Sequence, residues 1–276
     1  MHQVEDGRFE FGDNWCRFLK GLSETRILKA EESLKRILRL ETLSDKTFLD
    51  IGSGSGLFSL AAWRLGACVR SFDYDSRSVA CTVELQQRYC RNDKNWIVEQ
   101  ASILDEAYVR SLGKFDVVYS WGVLHHTGAM WQALQNAQTL VAPGGLFCVA
   151  IYNDQGRRSL YWKEIKRLYN RLPNGLRFLI LWPTFLRLWG PTIVRDGFRG
   201  RPLQTWQNYY INARGISPWR DVVDWVVGYP FEGAKPDEVF EFYQKRGVRL
   251  PTLKTDGAGH GCNEFVFMKE DTGMRP

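Results

Sequence analysis

The stretch FLDIGSGSG, residues 48–56, constrains this chain more than any other. Four residues that read as the end of a buried strand run into three glycines separated by single small residues. A strand that ends in a glycine turn opening a helix brings backbone N–H groups and a helix N-terminus close to a ligand. Gly52, Gly54 and Gly56 remove the Cβ atoms that would hold that ligand away. The dinucleotide version of this turn spaces its glycines GxGxxG to seat a pyrophosphate. Here the spacing is GxGxG, with acidic Asp50 two residues before the first glycine. The pattern favours a ligand with an adenosine part, no pyrophosphate, and a cationic amine for Asp50 to face.

The flanking sequence repeats the same alternation. Residues 12–40 recur apolar at three- and four-residue steps and read as amphipathic helix. TFLDI reads as a strand, GLFSLAAWRLGA as a helix closed by Gly66, CVRSFDYD as a second strand, and SRSVACTVELQQRYC as a second helix with Ser76 placed to cap it. WIVEQAS, FDVVYSW and GLFCVAIY follow as strands, with helical patterns at 103–112 and 129–141. Strands alternating with helices at this spacing predict a doubly wound, Rossmann-like α/β core over 47–152, with parallel strands and right-handed crossovers. The alternation stops after Tyr152 and resumes at PDEVFEFYQKRG, a helix with Pro236 at its start and Gly247 at its end. VRLPTLKT and NEFVFMKE read as the closing strands, the last one antiparallel, and Pro251 makes the first an edge or irregular strand. The expected organisation is a helical N-terminal cover over 1–45, an α/β core over 46–153 and 236–276, and a helical insertion over 154–235.

That insertion carries the basic character of the chain. The net charge is +6, but residues 154–220 hold 13 Lys and Arg against 3 Asp and Glu. No apolar stretch approaches the roughly 20 residues of a membrane span, and MHQVEDGRFEFGDNW lacks the basic start and apolar core of a signal segment, so a cytoplasmic setting is expected. The six cysteines are scattered singly, which reads as reduced packing residues. No carboxylate cluster has metal-ligand spacing.

With Asp50-x-Gly52-x-Gly54-x-Gly56 in register after a first strand, the chain resembles the class I S-adenosylmethionine-dependent methyltransferases of the small-molecule type. The resemblance extends to an acidic residue at the end of the second strand, Asp73, to the V-L-H-H segment in WGVLHHTG, and to APGGLF before the fifth strand. It implies S-adenosylmethionine as cofactor. Asp50, Gly52, Ser53, Gly54 and Gly56 would form its cradle, Asp73 would accept from the ribose hydroxyls, and Tyr74 would flank the adenine. Where similar enzymes place an acidic residue near the adenine amine, this chain reads EQASILD, which leaves Ser102 there. Trp121, at the end of the fourth strand, completes the expected cofactor contacts.

Ligands of open α/β sheets sit outside the carboxyl ends of the strands. Four segments reach that rim: residues 121–126, residues 152–154, the insertion, and the loop GAGHGCN. His126 or His260 is the expected general base, since histidine titrates near neutrality, with Tyr152 and Asn153 orienting cofactor or acceptor. His125 is a candidate acceptor contact; capping of the following helix by His125 or His126 is the structural alternative. In the insertion, Tyr209 and Arg214 are candidate acceptor contacts. Its aromatics and arginines admit three readings, in descending order: a lid gripping an acidic small molecule, a face on an anionic membrane giving access to a lipid or quinone-like substrate, and an RNA surface. Methyl transfer is the expected reaction; attack on the aminocarboxypropyl arm of the same cofactor, releasing methylthioadenosine, is the alternative. Oligomeric state stays open.

Overall fold

In TFLDI, alternate residues point to opposite faces of a strand, and both faces are covered: Phe48 is buried with the helices on one side, Leu49 with those on the other. The computed structural model describes residues 12–91, 93–201, 203–212, 218–257 and 261–270. It divides into two compact units, one of residues 10–155 with 232–276 and one built on 156–231.

The first unit holds a seven-stranded sheet in the order β3-β2-β1-β4-β5-β7-β6. Its strands are β1 (Thr47–Ile51), β2 (Cys68–Asp73), β3 (Trp96–Gln100), β4 (Phe115–Trp121), β5 (Val141–Tyr152), β6 (Val248–Lys254) and β7 (Cys262–Lys269). The pairs β1–β2, β1–β4, β2–β3 and β4–β5 are parallel, while β7 runs antiparallel to both β5 and β6. Strands β1 to β3 step outward in one direction and β4 starts on the other side of β1, so the order reverses between β1 and β4. A crevice opens at such a reversal, where the connections diverge.

One face is covered by α1 (Gly12–Lys20), α2 (Glu24–Leu38), α3 (Leu57–Arg64) and α4 (Ser76–Tyr89); the other by α5 (Glu106–Ser111), α6 (Met130–Thr139) and α11 (Pro236–Gln244), the last named after the four helices of the second unit. Three details differ from the sequence reading. The N-terminal helix is two helices, because the chain turns at Gly21, whose N–H donates to Phe18 O, and Ser23 is extended at φ −125° before α2 begins. The cap of α4 is Asp75, which accepts from Arg77 N at 2.9 Å, and Ser76 is the first helical residue. β5 begins at Val141, paired with Phe115; residues 142–145 then bulge, with Gly144 at φ +70°, before Leu146 pairs with Val117. Pro251 lies in β6, the edge strand, at a register shift between Arg249 and Thr252, as its missing N–H requires.

The second unit consists of α7 (Arg157–Arg171), α8 (Phe178–Phe198), α9 (Gln204–Asn212) and α10 (Pro218–Val227). Its core is Tyr169, Phe185, Trp189, Val222, Val226 and Val227. In the sequence Pro183 interrupts the apolar run LRFLILWPTFLRLWG, yet α8 continues through both Pro183 and Pro191. Both prolines are exposed, so the carbonyls of Leu179 and Arg187, which lose their helical N–H partners, belong to the outward side of the helix. Among the described residues, no helix is long and apolar enough to cross a membrane.

Candidate functional site

The turn after β1 is shaped by three glycines with positive φ: Gly52 at +74°, Gly54 at +57° and Gly56 at +77°. A Cβ on Gly52 would lie 2.4 Å from Val123 Cγ1, and one on Gly54 would lie 2.8 Å from Trp15 Cε2. Any other residue would therefore be strained in backbone and in space. The N–H groups of Gly52 and Ser53 donate to Phe72 O at 2.8 and 3.2 Å, which hooks the turn to the end of β2. There Asp73 accepts from Gly54 N through Oδ2 at 2.9 Å and from Asp75 N through Oδ1 at 3.0 Å. Burial pushes its carboxyl up to about 6 against these backbone hydrogen bonds, which favour the charged form.

Asp50 is set deeper. Its Oδ2 accepts from Ser59 Oγ at 2.5 Å, Ser59 Oγ accepts from Ser71 Oγ at 2.8 Å, and Ser71 Oγ accepts from Trp96 Nε1 at 2.8 Å. This chain of donors from α3, β2 and β3 ends on one carboxylate and fixes its direction. Burial pushes Asp50 up to about 7, with the Ser59 hydrogen bond opposing. Ser53 and Thr82 share a hydroxyl hydrogen bond of 3.0 Å, joining the turn to α4.

Helix α1 packs on the same turn. Gly12 N donates to Asp75 Oδ2 at 2.7 Å, the Trp15 ring lies against Gly54, and Cys16 Sγ is 2.7 Å from Cys81 Sγ of α4. Trp15 was not singled out from sequence, where it is one aromatic of an amphipathic pattern. Ser59 and Ser71 left a clearer trace, each being a hydroxyl in an apolar stretch, LFSLAAW and SFD, that is destined for burial.

The remaining expected cofactor contacts lie along the same strand ends. Tyr74 is 55% exposed beside Asp73. Ser102 shapes the turn before α5, its Oγ accepting from Leu104 N at 3.2 Å, while Asp105 caps α5 by accepting from Ala107 and Tyr108 N–H. Trp121 stacks on Tyr119 with centroids 5.5 Å apart and planes at 7°.

At the ends of β4 and β5 three rings meet. His125 is fully buried and its Nδ1 accepts from Tyr152 N at 3.2 Å, so this nitrogen carries no proton. The His125 ring is 4.0 Å from that of Tyr152 and 4.5 Å from that of His126; the His126 and Tyr152 rings meet edge to face at 5.5 Å. His125 O also accepts from Glu232 N at 3.1 Å, and Glu232 Oε2 accepts from Met130 N at 3.0 Å. The first turn of α6 thus receives its acceptor from Glu232, where a histidine had been the structural alternative.

Asn153 has both ends of its amide engaged: Nδ2 donates to Gly257 O at 2.7 Å and Oδ1 accepts from Asn263 Nδ2 at 3.1 Å. Its N–H donates to Gly261 O at 3.2 Å. Asn153 therefore ties both sides of the loop between β6 and β7 to the end of β5. His260 of that loop and Arg214 lie outside the described residues. Tyr209 belongs to the second unit, where its ring meets that of Trp189 at 5.0 Å.

Residues 23–180 match the family described as "Methyltransferase domain". Among curated proteins, the chain is 27% identical to the ubiquinone biosynthesis O-methyltransferase of Coxiella burnetii (strain RSA 493 / Nine Mile phase I) over 143 residues, 51% of this chain and 59% of that one. To the protein of the same name from Methylobacterium nodulans it is 33% identical over 119 residues, 43% of this chain and 45% of that one. The chain thus spans about half the length of these relatives. Among solved structures, magnesium protoporphyrin IX methyltransferase from Synechocystis PCC 6803 with bound SAH superposes with a TM-score of 0.55 at 10% identity, covering 94% of this chain and 96% of that one. The putative methyltransferase in complex with the Trm112 activator from Haloferax volcanii gives 0.54 at 12% identity, with 98% and 100% covered. Likeness at this level of identity establishes the fold.

Proposed function

The chain belongs to the methyltransferase domain family, class I and S-adenosylmethionine-dependent, and on that premise we propose that it methylates an oxygen of a small, acidic or partly apolar acceptor, an aromatic hydroxyl being the form best suited to the site. The observation that carries this reading is the meeting of His125, His126 and Tyr152 at the ends of β4 and β5, on the side of the sheet's reversal that faces the glycine turn of the neighbouring β1. The O-methyltransferase relatives support the oxygen acceptor; they are matched over half their length.

The residues fit the cofactor. Asp73, held by Gly54 and Asp75, presents lone pairs to a pair of vicinal hydroxyls, and the positive-φ glycines let a ligand approach the backbone. Tyr74 offers a face to a purine, with Ser102 and Trp121 at the neighbouring strand ends. Bound S-adenosylmethionine supplies a methyl carbon activated by its sulfonium, and transfer needs an acceptor aligned behind that carbon. His126 takes the acceptor's proton. Buried His125 holds its ring against Tyr152 and positions His126, while Asn153 positions the loop that carries His260, the second candidate base.

The test is mass spectrometry of the purified protein with S-adenosylmethionine and a panel of catechol, hydroxyquinol and carboxyphenol acceptors. The expected result is S-adenosylhomocysteine together with an acceptor heavier by one methyl group. Methylthioadenosine would place the reaction on the aminocarboxypropyl arm, and a methylated amine or thiol in place of a hydroxyl would overturn the oxygen assignment.

A further inference from the structure

Helix α8 is apolar on two sides. Its inward side, with Phe185 and Trp189, forms the core of the second unit with Tyr169 and the α10 valines. Its outward side presents Leu179, Leu186, Val194 and Phe198, all exposed, Leu186 by 59% and Phe198 by 90%. At about 100° per residue these four side chains fall within roughly a third of the helix circumference, so they share one face, a stripe along a helix of about 30 Å. At the end of the stripe the character changes: a cavity of about 510 Å³ is lined by Arg199, Arg201, Gln204, Thr205, Asn208 and Asp196. The Asp196 carboxylate accepts from the N–H and the hydroxyl of Thr205, each at 2.9 Å, and keeps its charge, so the two guanidinium groups against one carboxylate leave the lining net positive.

We propose that the outward face of α8 docks on an anionic lipid bilayer, with Leu179, Leu186, Val194 and Phe198 entering the interface and Arg199 and Arg201 receiving a lipid phosphate. Charge complementarity selects this occupant: residues 154–220 carry 13 Lys and Arg against 3 Asp and Glu, and Arg187 and Arg195 flank the stripe on the same helix. Large apolar side chains beside arginines make an in-plane interfacial helix. The two exposed prolines agree with shallow placement, since the carbonyls they leave without a helical partner find headgroups and water there but would find none in the hydrocarbon. The docking rests on residues 156–231 alone. Only its consequence, that the acceptor is one dissolved in the bilayer, rests on the proposed methyl transfer.

The experiment is flotation of the full chain with vesicles of phosphatidylcholine alone and with about a quarter phosphatidylglycerol. Binding is expected to the mixed vesicles, to weaken as salt is raised, and to fall at least tenfold in Leu186→Glu/Val194→Glu/Phe198→Glu, whose positions are exposed. Arg199→Glu/Arg201→Glu should lose the preference for phosphatidylglycerol. Cofactor affinity by calorimetry should be unchanged in both variants, which separates failure of docking from failure of the methyltransferase reading. No flotation with mixed vesicles, or flotation undiminished in the triple variant, would overturn the proposal. So would a dimer seen by sedimentation that the triple variant abolishes, which makes the stripe an interface between copies, or binding to mixed-sequence RNA in place of vesicles.

Discussion

The two units differ in the charged groups they bury most deeply. In the sheet unit, buried hydroxyls and an indole N–H line up toward one carboxylate, Asp50, and two backbone N–H groups converge on a second, Asp73. In residues 156–231 the most deeply buried charged group among the described residues is a lysine among rings: Lys166 donates to Trp225 O, and its Nζ lies 4.1 Å from the Trp225 ring centre and 4.8 Å from that of Phe231. The first arrangement fixes the direction of each carboxylate, as ligand placement needs. The second tolerates movement, because a ring face attracts a cation from many angles. The difference separates a unit built for precise positioning from one built as an aromatic, basic surface.

The largest expected effect tests the catalytic side of that comparison. His126→Ala should lower kcat by about 10² to 10⁴-fold with cofactor affinity nearly intact, the range for loss of a general base. His260→Ala tests the second candidate in the same assay. Equal, undiminished activity in both variants would leave catalysis to alignment alone. Next, Asp73→Ala should weaken S-adenosylmethionine binding by about 1.5 to 3 kcal/mol, the range for hydrogen bonds to a charged group. Calorimetry showing unchanged affinity would show that the ribose lies elsewhere.

The same carboxylate predicts a pH dependence. Burial raises Asp73 from 3.8 to about 6, so below pH 6 the free protein increasingly holds the protonated form, which accepts fewer hydrogen bonds. If only the charged form binds the ribose, affinity should fall by about tenfold per pH unit below 6. The unliganded fold behaves oppositely. Between pH 3.8 and the raised values, Asp73 and Asp50 hold protons in the folded chain that the unfolded chain has lost, so stability falls as pH rises through that window. Calorimetric titrations at pH 5, 6 and 7.5 would check the first slope, and melting temperatures the second.

The sheet unit was legible because its information is local. A strand period of two, a turn that admits only glycine, and an acidic residue at the next strand end each constrain a few neighbouring residues, and TFLDI, CVRSFD and WIVEQ stand where their patterns placed them. What escaped depends on contacts distant in sequence. Trp15 meets Gly54 and Glu232 caps α6 at Met130 only after the chain has folded, and neither pairing has a period to reveal it. Pro183 errs in the other direction, a helix breaker by type that breaks nothing here: it forbids one hydrogen bond, but the core contacts of Phe185 and Trp189 outweigh that loss on an exposed flank. Tyr209 and Arg214 were chosen from composition alone, the weakest of these signals.

The smallest predicted effect concerns the lysine. Burial lowers Lys166 from 10.5 to about 7. Between those values the unfolded chain holds a proton that the folded chain lacks, so this group makes stability rise with pH, the reverse of Asp50 and Asp73. Lys166→Met removes the amine while keeping most of the side-chain volume among Trp225 and Phe231. The lost hydrogen bond to Trp225 O should cost about 1 kcal/mol at every pH. Against that constant the variant should gain on the wild type as pH falls from 9.5 to 8 and on to about 7, because over that range only the wild type must shed a proton on folding. Denaturant melts of both proteins at pH 6, 8 and 9.5 would decide it: curves that stay parallel across that range would mean that Lys166 keeps its proton inside the fold, and that the rings of Trp225 and Phe231 hold a cation with the same firmness that Ser59 holds Asp50.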